Sequence, residues 1–200
     1  MKRILILFAH PALQRSRVNR RLLKSTQGIE NVTLHDLYEA YPDMHIDVDR
    51  EQALLVNHDI IIMQHPFYWY STPAILKEWQ DMVLQHGWAY GKEGRKLSGK
   101  VMFNTITTGG PEKAYTAKGY NHFTLRQLLA PLEQTAGLCR MKYLPPFVIH
   151  GTHLLPEKEL ESHANDYEEL LVDLTKELVD IEKTMGLTQL NQSLTQNRKG

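Results

Sequence analysis

The chain has 200 residues and no formal net charge at pH 7, because 23 basic residues balance 23 acidic ones. Its length suits one domain with a sizeable core, and its 42% hydrophobic share is ordinary for a globular domain. The neutral balance argues against recruitment by charge to nucleic acid or to an anionic membrane surface. The single cysteine, Cys139, excludes an internal disulfide and indicates a reducing compartment.

The amino terminus predicts a cytoplasmic protein. Residues 4–8 form an apolar run that is too short for a signal peptide or a membrane span, and His10-Pro11 ends it. We therefore expect no direct membrane insertion. Any peripheral association with the inner face of the cell membrane would occur through a partner.

Apolar runs of strand length alternate with amphipathic helical patterns along the chain. Strands are predicted at residues 4–8, 31–35, 59–63, 100–107 and 141–149, and Pro145-Pro146 interrupts or borders the last one. Helices are predicted after Ser16, over 49–56, from Pro73, over 127–137 and over 156–185. The alternation predicts an α/β fold, a flavodoxin-like three-layer α/β/α sandwich with a five-stranded parallel sheet in the order 2-1-3-4-5. It covers residues 1–186, and the polar segment 187–200 is expected to be a loosely ordered tail.

Sheets of this kind bind ligands beyond the carboxyl ends of their strands, beside the first strand. The first loop there runs from His10 to Asn19 and leads into a helix, whose amino terminus suits a phosphate group. Ser16 and Asn19 add polar donors, and Arg15 and Arg17 add charge. An ordinary helix cap with two surface arginines is the competing interpretation. No GxGxxG motif or Walker A lysine motif is present.

The next two loops carry aromatic and glycine signals. Residues 67–70 are four consecutive aromatics at the end of a buried strand, which indicates a surface for a planar ring, an aromatic plug or a dimer contact. Gly109-Gly110 can bring backbone N–H groups close to a flat ligand, although a plain turn has the same pattern. A fourth segment, 86–91, is typical of a lid over an aromatic substrate or of a packed dimer loop. The ten histidines show no metal-ligand spacing, so no metal is expected.

Several of these segments together resemble the flavodoxin-like NAD(P)H:quinone oxidoreductase family. Within it, the chain resembles the small ancillary oxidoreductases of Kef-type glutathione-regulated potassium-efflux antiporters. The resemblance extends over about residues 4–178. Its motifs are Ala9-His10-Pro11, Leu37-Tyr38, Tyr41-Pro42-Asp43, Gln64-His65-Pro66, Tyr70-Ser71, Leu76-Lys77-Glu78-Trp79, His86-Gly87-Trp88-Ala89-Tyr90-Gly91 and Thr107-Thr108-Gly109-Gly110.

The resemblance implies a cofactor site, with FMN as the first choice and FAD as the alternative. His10, Ser16, Arg17, Val18 and Asn19 would hold the flavin phosphate and ribityl chain. The ring would be held by two further groups and flanked by a third. These groups are Pro66, Phe67, Tyr68, Trp69 and Tyr70; Thr107, Thr108, Gly109 and Gly110; and Leu84, Gln85, His86 and Gly87.

The resemblance also implies a catalytic pair, Tyr115 with a histidine six residues later. That second position is Asn121 here, and His122 is the neighbouring candidate. Trp88 and Tyr90 would contact the substrate, Tyr90 from the other subunit of a homodimer. The implied reaction is a ping-pong transfer of two electrons from NADH or NADPH to a quinone-like acceptor.

Two other functions remain open at this point. One is a regulatory subunit on the cytoplasmic side of a potassium-efflux antiporter, in which flavin is structural or sensory; this is also implied by the resemblance. The other is a flavin-free module that binds phosphoesters through the first loop alone. The aromatic loop argues against the latter.

Overall fold

The structure is a computed structural model that describes residues 1–192. The strands are β1 (Ile4–Phe8), β2 (Val32–Asp36), β3 (Ile60–Pro66), β4 (Val101–Thr107), β5 (Lys142–Tyr143) and β6 (Phe147–Ile149). The helices are α1 (Arg17–Thr26), α2 (Leu37–Ala40), α3 (Val48–Val56), α4 (Ala74–Val83), α5 (Leu125–Leu128), α6 (Ala130–Leu138), α7 (Glu157–Thr175) and α8 (Ile181–Thr184).

The sheet is parallel throughout, and its order β2-β1-β3-β4-β5 confirms the predicted 2-1-3-4-5 topology. β5 and β6 are two pieces of the fifth strand, since both pair with β4. Pro145-Pro146 lies between them, and proline has no backbone N–H to donate to a ladder. Ile6 on β1 faces Leu34 of β2 on one side and Ile62 of β3 on the other.

Both faces of the sheet are covered by helices. Leu5 and Leu7 of β1 are fully buried in one core, which α3, α4 and α6 complete. Ile4 and Ile6 are fully buried in the opposite core, beneath α1 and α7. The nearly continuous apolar sequence of β1 follows from this double burial.

The long helix near the carboxyl terminus is shorter than the sequence pattern predicts. α7 ends at Thr175 instead of continuing to residue 185. Glu177 has a φ of 60°, in the left-handed region that cannot continue a right-handed helix. Helical conformation resumes only in α8, which Asp180 caps by accepting from the Lys183 amide.

The beginning of the segment expected to be a loose tail packs against the sheet. Leu190 is fully buried, and its amide donates to the Pro146 carbonyl (2.9 Å). The Asn191 side chain accepts from the Val148 amide (2.9 Å) and donates to the Val148 carbonyl (3.0 Å). Leu190 therefore fills a core position, and Asn191 provides hydrogen-bond partners for the edge strand. Residues 193–200 lie outside the described part of the chain.

Candidate functional site

The loops after β1, β3, β4 and β6 meet at the carboxyl edge of the sheet. Asn19 Nδ2, at the start of α1, donates to Thr107 Oγ1 at the end of β4 (3.1 Å). The Phe67 amide donates to the Thr107 carbonyl (2.8 Å), and the Thr108 amide donates to the Ile149 carbonyl (2.9 Å). The three loops singled out from the sequence are thus joined by hydrogen bonds.

A cavity of about 480 Å³ opens at the amino terminus of α1, and we call it the α1 cavity. Its lining includes ten of the residues predicted to bind a cofactor: His10, Ser16, Arg17, Val18, Asn19, Pro66, Phe67, Tyr68, Thr107 and Gly109. The cavity is also lined by Ala12, Thr152 and His153, which were not predicted to contact the cofactor, and by Arg15, which was predicted only to add charge.

The α1 cavity is suited to an anion. Ser16 caps α1 by accepting from the Asn19 amide (3.2 Å), while the Arg17 and Val18 amides, in the first turn, have no acceptor within the helix. His10 Nδ1 accepts from the Ala12 amide (3.1 Å), so the proton of the neutral ring is on Nε2. Burial lowers the pKa of His10, which keeps the ring neutral and Nε2 a donor at neutral pH.

The two arginines of the first loop differ in what their side chains contact. The Arg17 guanidinium binds Glu157 Oε2 (2.6 Å) and the Leu155 carbonyl, so its charge is directed to the start of α7. Arg15 is exposed at the α1 cavity and forms no ion pair within residues 1–192. Arg15 is therefore the arginine available to an anion, while Arg17 contributes its backbone amide.

This difference predicts unequal effects of two matched substitutions. Arg15→Ala should weaken phosphate-group binding about fivefold, since one exposed charge-assisted contact contributes ~1 kcal/mol. Arg17→Ala should stay within about twofold of the wild type, because its guanidinium is already paired. Titration with FMN at low and high salt tests both, and the Arg15 effect should shrink in high salt. Equal losses in the two variants would contradict the assignment.

A second cavity of about 740 Å³ adjoins the first, and we call it the aromatic cavity. Phe67 lines both cavities, and its ring packs edge-to-face on Tyr115 with centroids 6.2 Å apart. The aromatic cavity is also lined by Trp69, Tyr70, Gly110, Pro111, Lys113, Ala114, Lys118, Gly119, Tyr120 and Asn121. Its size and aromatic walls suit a planar ligand.

A tight turn presents the aromatic side chains. The Ser71 amide donates to the Tyr68 carbonyl (3.0 Å), and the two central residues, Trp69 and Tyr70, have φ values of 51° and 62°. Large side chains rarely adopt the left-handed region, at a cost of about 1 kcal/mol or more each. Trp69 is nevertheless 93% exposed, so burial of its ring within the chain does not offset this strain. Strain at a turn that exposes a large aromatic ring indicates a binding role.

Replacing the central residues of this turn should separate stability from binding. Asn-Gly is the preferred pair for a turn with two positive φ values, so Trp69→Asn with Tyr70→Gly should stabilise the fold by about 1 kcal/mol. Flavin affinity should fall, because the aromatic wall is lost. Trp69→Ala is the control, since it removes the ring and keeps the strain. Urea unfolding and FMN titration measure both effects, and a less stable Asn-Gly variant would contradict the strain argument.

A family model described as a flavodoxin-like fold matches residues 2–171. The chain belongs to this family. The flavodoxin-like assignment agrees with the strand order and with the position of both cavities at the switch point beside β1.

The chain is 48% identical over 171 residues to the glutathione-regulated potassium-efflux system ancillary protein KefG of Shigella flexneri serotype 5b (strain 8401). That match covers 86% of this chain and 93% of the relative.

Two solved structures in this fold are also similar. General stress protein 14 from Treponema denticola, in complex with FMN, is 37% identical with a TM-score of 0.81, covering 86% of this chain and 98% of that one. An NADPH-quinone reductase from P. pentosaceus is 33% identical with a TM-score of 0.77, covering 84% and 96%.

The flavodoxin-like site does not bring His122 to Tyr115. His122 is exposed, has a φ of 61° and donates its amide to the Gly119 carbonyl, and it lines neither cavity. Asn121 lines the aromatic cavity instead and accepts a hydrogen bond from the Tyr70 hydroxyl (3.3 Å). The histidine beside Tyr115 is His150, whose ring centroid lies 5.8 Å away.

Residues 84–91 lie at the opposite edge of the sheet. α4 runs back from the carboxyl edge, and the segment after it is held by Arg140, whose guanidinium donates to the Gly91 carbonyl (3.0 Å) and the Gly94 carbonyl (2.7 Å). Arg140 stands just before β5, so this is the amino edge. The residues expected beside the ring or substrate, Leu84, Gln85, His86, Gly87, Trp88 and Tyr90, line neither cavity.

Some site residues were missed because they follow the last strand. Thr152 and His153 line the α1 cavity, and a Cβ on Gly109 would lie 2.9 Å from His153 Nε2. The carboxyl-edge rule applies equally to the loop after β6 and is the signal that identifies them. Within residues 1–192, no His, Cys, Asp and Glu side chains are grouped to hold a metal ion, and no helix there is long and apolar enough to span a bilayer.

Proposed function

We propose that the protein binds FMN and transfers two electrons from NADH or NADPH to a quinone-like acceptor in a ping-pong reaction. The supporting observation is that an anion-binding cavity and a larger aromatic cavity share Phe67 in their walls. The likeness to an FMN complex and to an NADPH-quinone reductase supports the same reading.

The chain's residues fit FMN. The Arg17 and Val18 amides, His10 Nε2 and Arg15 suit its phosphate. Asn19 Oδ1 is buried and has no hydrogen-bond partner among the described residues, which is an acceptor suited to a ribityl hydroxyl. The aromatic cavity suits the ring. FAD is the alternative, and the FMN complex of the 37% identical relative favours FMN.

FMN, when bound, accepts a hydride and passes it on. The chain's own contribution is orientation and charge stabilisation. The Gly109 and Gly110 amides donate no hydrogen bond to any described residue. Gly109 lines the α1 cavity and Gly110 lines the aromatic cavity, so both amides are candidate donors to a developing negative charge. Burial raises the pKa of Tyr115, so its hydroxyl remains a donor at neutral pH.

The visible absorption spectrum before and after anaerobic NADH tests the proposal. A yellow protein that bleaches with NADH and recovers with a quinone is the expected result. A colourless protein that cannot be reconstituted with FMN or FAD would overturn the flavin assignment. The likeness to known proteins would then describe the fold alone.

A second function is favoured by the 48% identity to KefG. The protein would bind the cytoplasmic side of a Kef-type potassium-efflux antiporter and raise its activity, with flavin as scaffold or sensor. Potassium efflux from cells that carry the antiporter with wild-type or Asn19→Ala protein distinguishes the two roles. Activation that survives the loss of flavin would show that catalysis is not its basis; failure of the wild-type protein to activate would overturn this second function.

A homodimer is part of the proposal. The single chain leaves Tyr90 at the edge opposite its own cavities, so a second copy would supply this aromatic to the acceptor, together with Trp88. The exposed rings of Trp69, Tyr70 and Tyr120 at the aromatic cavity provide an apolar surface for such contact. Analytical ultracentrifugation should show a dimer. A strictly monomeric protein that still reduces a quinone with NADH would contradict the assignment of Tyr90 to the site.

A further inference from the structure

His150 lies directly after β6 and contacts the glycine turn of the site. Its Nδ1 is 3.1 Å from Thr108 Oγ1, and its ring is tilted 39° against that of Tyr115. Thr108 Oγ1 in turn lies 2.8 Å from the Gly110 carbonyl. The chain His150–Thr108–Gly110 therefore joins the fifth strand to the turn that borders both cavities.

The proton positions in this chain follow from the partners. The Thr108 hydroxyl has one proton and donates it to the Gly110 carbonyl, so it can only accept from His150 Nδ1. His150 Nε2 lies 3.3 Å from Gln189 Nε2, which also donates to Glu112 Oε1 (3.4 Å). Because the Glu112 carboxylate can only accept, the Gln189 side-chain atom beside it must be the amide nitrogen and not the amide oxygen. The same nitrogen therefore donates to His150 Nε2.

We propose that His150 is a positioning residue of the site, held in its Nδ1–H tautomer by Gln189, and that it fixes the Thr108–Gly110 turn beside Tyr115. Gln189 belongs to the segment that packs after α8, outside the 2–171 match to the flavodoxin-like family. The effect on flavin rests on the proposed function, whereas the tautomer does not.

Burial favours a neutral His150 ring at neutral pH. Burial lowers the pKa of His150, Glu112 opposes that shift, and His163 on α7 adds to it. Tyr115 and Gln189 face the ring as neutral groups. A neutral ring has one donor and one acceptor nitrogen, which matches the acceptor at Thr108 and the donor at Gln189.

Nitrogen-15 NMR of the histidine rings tests the tautomer without any flavin. The wild-type protein should show His150 with its proton on Nδ1. Gln189→Ala removes the donor to Nε2 and should shift the tautomer ratio about fivefold toward Nε2–H, the effect of a hydrogen bond of ~1 kcal/mol. Thr188→Ala, an exposed neighbour, is the control and should leave the ratio unchanged. A wild-type His150 protonated on Nε2 would overturn the proposal.

FMN titration of three His150 variants tests the positioning role. Asparagine places an amide nitrogen near the position of Nδ1, whereas glutamine places one near Nε2. His150→Asn should therefore bind FMN within about twofold of the wild type, while His150→Gln and His150→Ala should bind about tenfold more weakly, with altered flavin absorption bands. Equal affinity in all three, or no advantage of Asn over Ala, would overturn the positioning role. A wild-type protein that binds no flavin would instead overturn the proposed function and leave the tautomer result standing.

Discussion

Replacing Asn19 with alanine is expected to weaken FMN binding about 100-fold, the equivalent of ~3 kcal/mol. Asn19 is 2% exposed, and its Nδ2 donates to Ser16 Oγ and Thr107 Oγ1 (both 3.1 Å). The substitution removes the orphaned acceptor Oδ1 from the α1 cavity and the bond between the first and third loops. It also leaves Thr107 Oγ1 without its donor.

Asn19→Asp is the more selective variant, because the side chain keeps its shape. A carboxylate there should repel the phosphate, so affinity should fall at least as far as in Asn19→Ala. Lys24→Ala, exposed in the last turn of the same helix, is the matched control and should bind FMN like the wild type. Flavin fluorescence titration measures affinity, and circular dichroism checks that each variant is folded. A folded Asn19→Asp protein with wild-type affinity for FMN would contradict the placement of the phosphate in the α1 cavity.

The sheet could be predicted from the sequence because its strands are buried on both faces. β1 is a continuous apolar run and β3 begins with one at residues 60–63, and no helix-length pattern competes with them. The helix ends were harder to predict. The sequence 176–181 keeps an amphipathic pattern, and only the left-handed backbone at Glu177 ends α7. The segment after residue 186 is mostly polar, and its sequence did not indicate that Leu190 occupies a fully buried position.

The site could be predicted where one topological rule applied. The loops after β1, β3 and β4 meet because parallel strands end at the same edge, and ten predicted residues line one cavity. His150 and Gln189 could not be predicted, because their contacts join positions 42 and 39 residues apart that no local pattern links. Residues 84–91 were associated with the site by resemblance alone, and a single chain cannot place the end of α4 at the carboxyl edge.

Tyr41, the first residue of the Tyr41-Pro42-Asp43 motif, donates a hydrogen bond to a buried carboxylate. Glu51 on α3 is fully buried, and its Oε1 accepts from His35 Nε2 (2.7 Å) and the Tyr41 hydroxyl (2.6 Å). Its Oε2 accepts from Trp79 Nε1 on α4 (2.7 Å). One side chain thus ties β2, the loop after α2, and α4 together. Removing one partner of such a network is costly, since the other groups remain buried.

Glu51→Gln is expected to lower the free energy of unfolding by about 3 kcal/mol, because an amide NH₂ replaces one acceptor among three donors. Burial alone would raise the pKa of Glu51, but hydrogen bonds from His35, Tyr41 and Trp79 hold it below its usual 4.5. The carboxylate's contribution is therefore fully present above 4.5 and is lost as the pH falls through the lowered pKa. Urea unfolding across this range should show the difference between wild type and variant shrinking in acid. Asp49→Asn, exposed on the same helix, should change stability by only about 0.5 kcal/mol, and a constant difference at every pH would mean that the charge of Glu51 is not what stabilises the network.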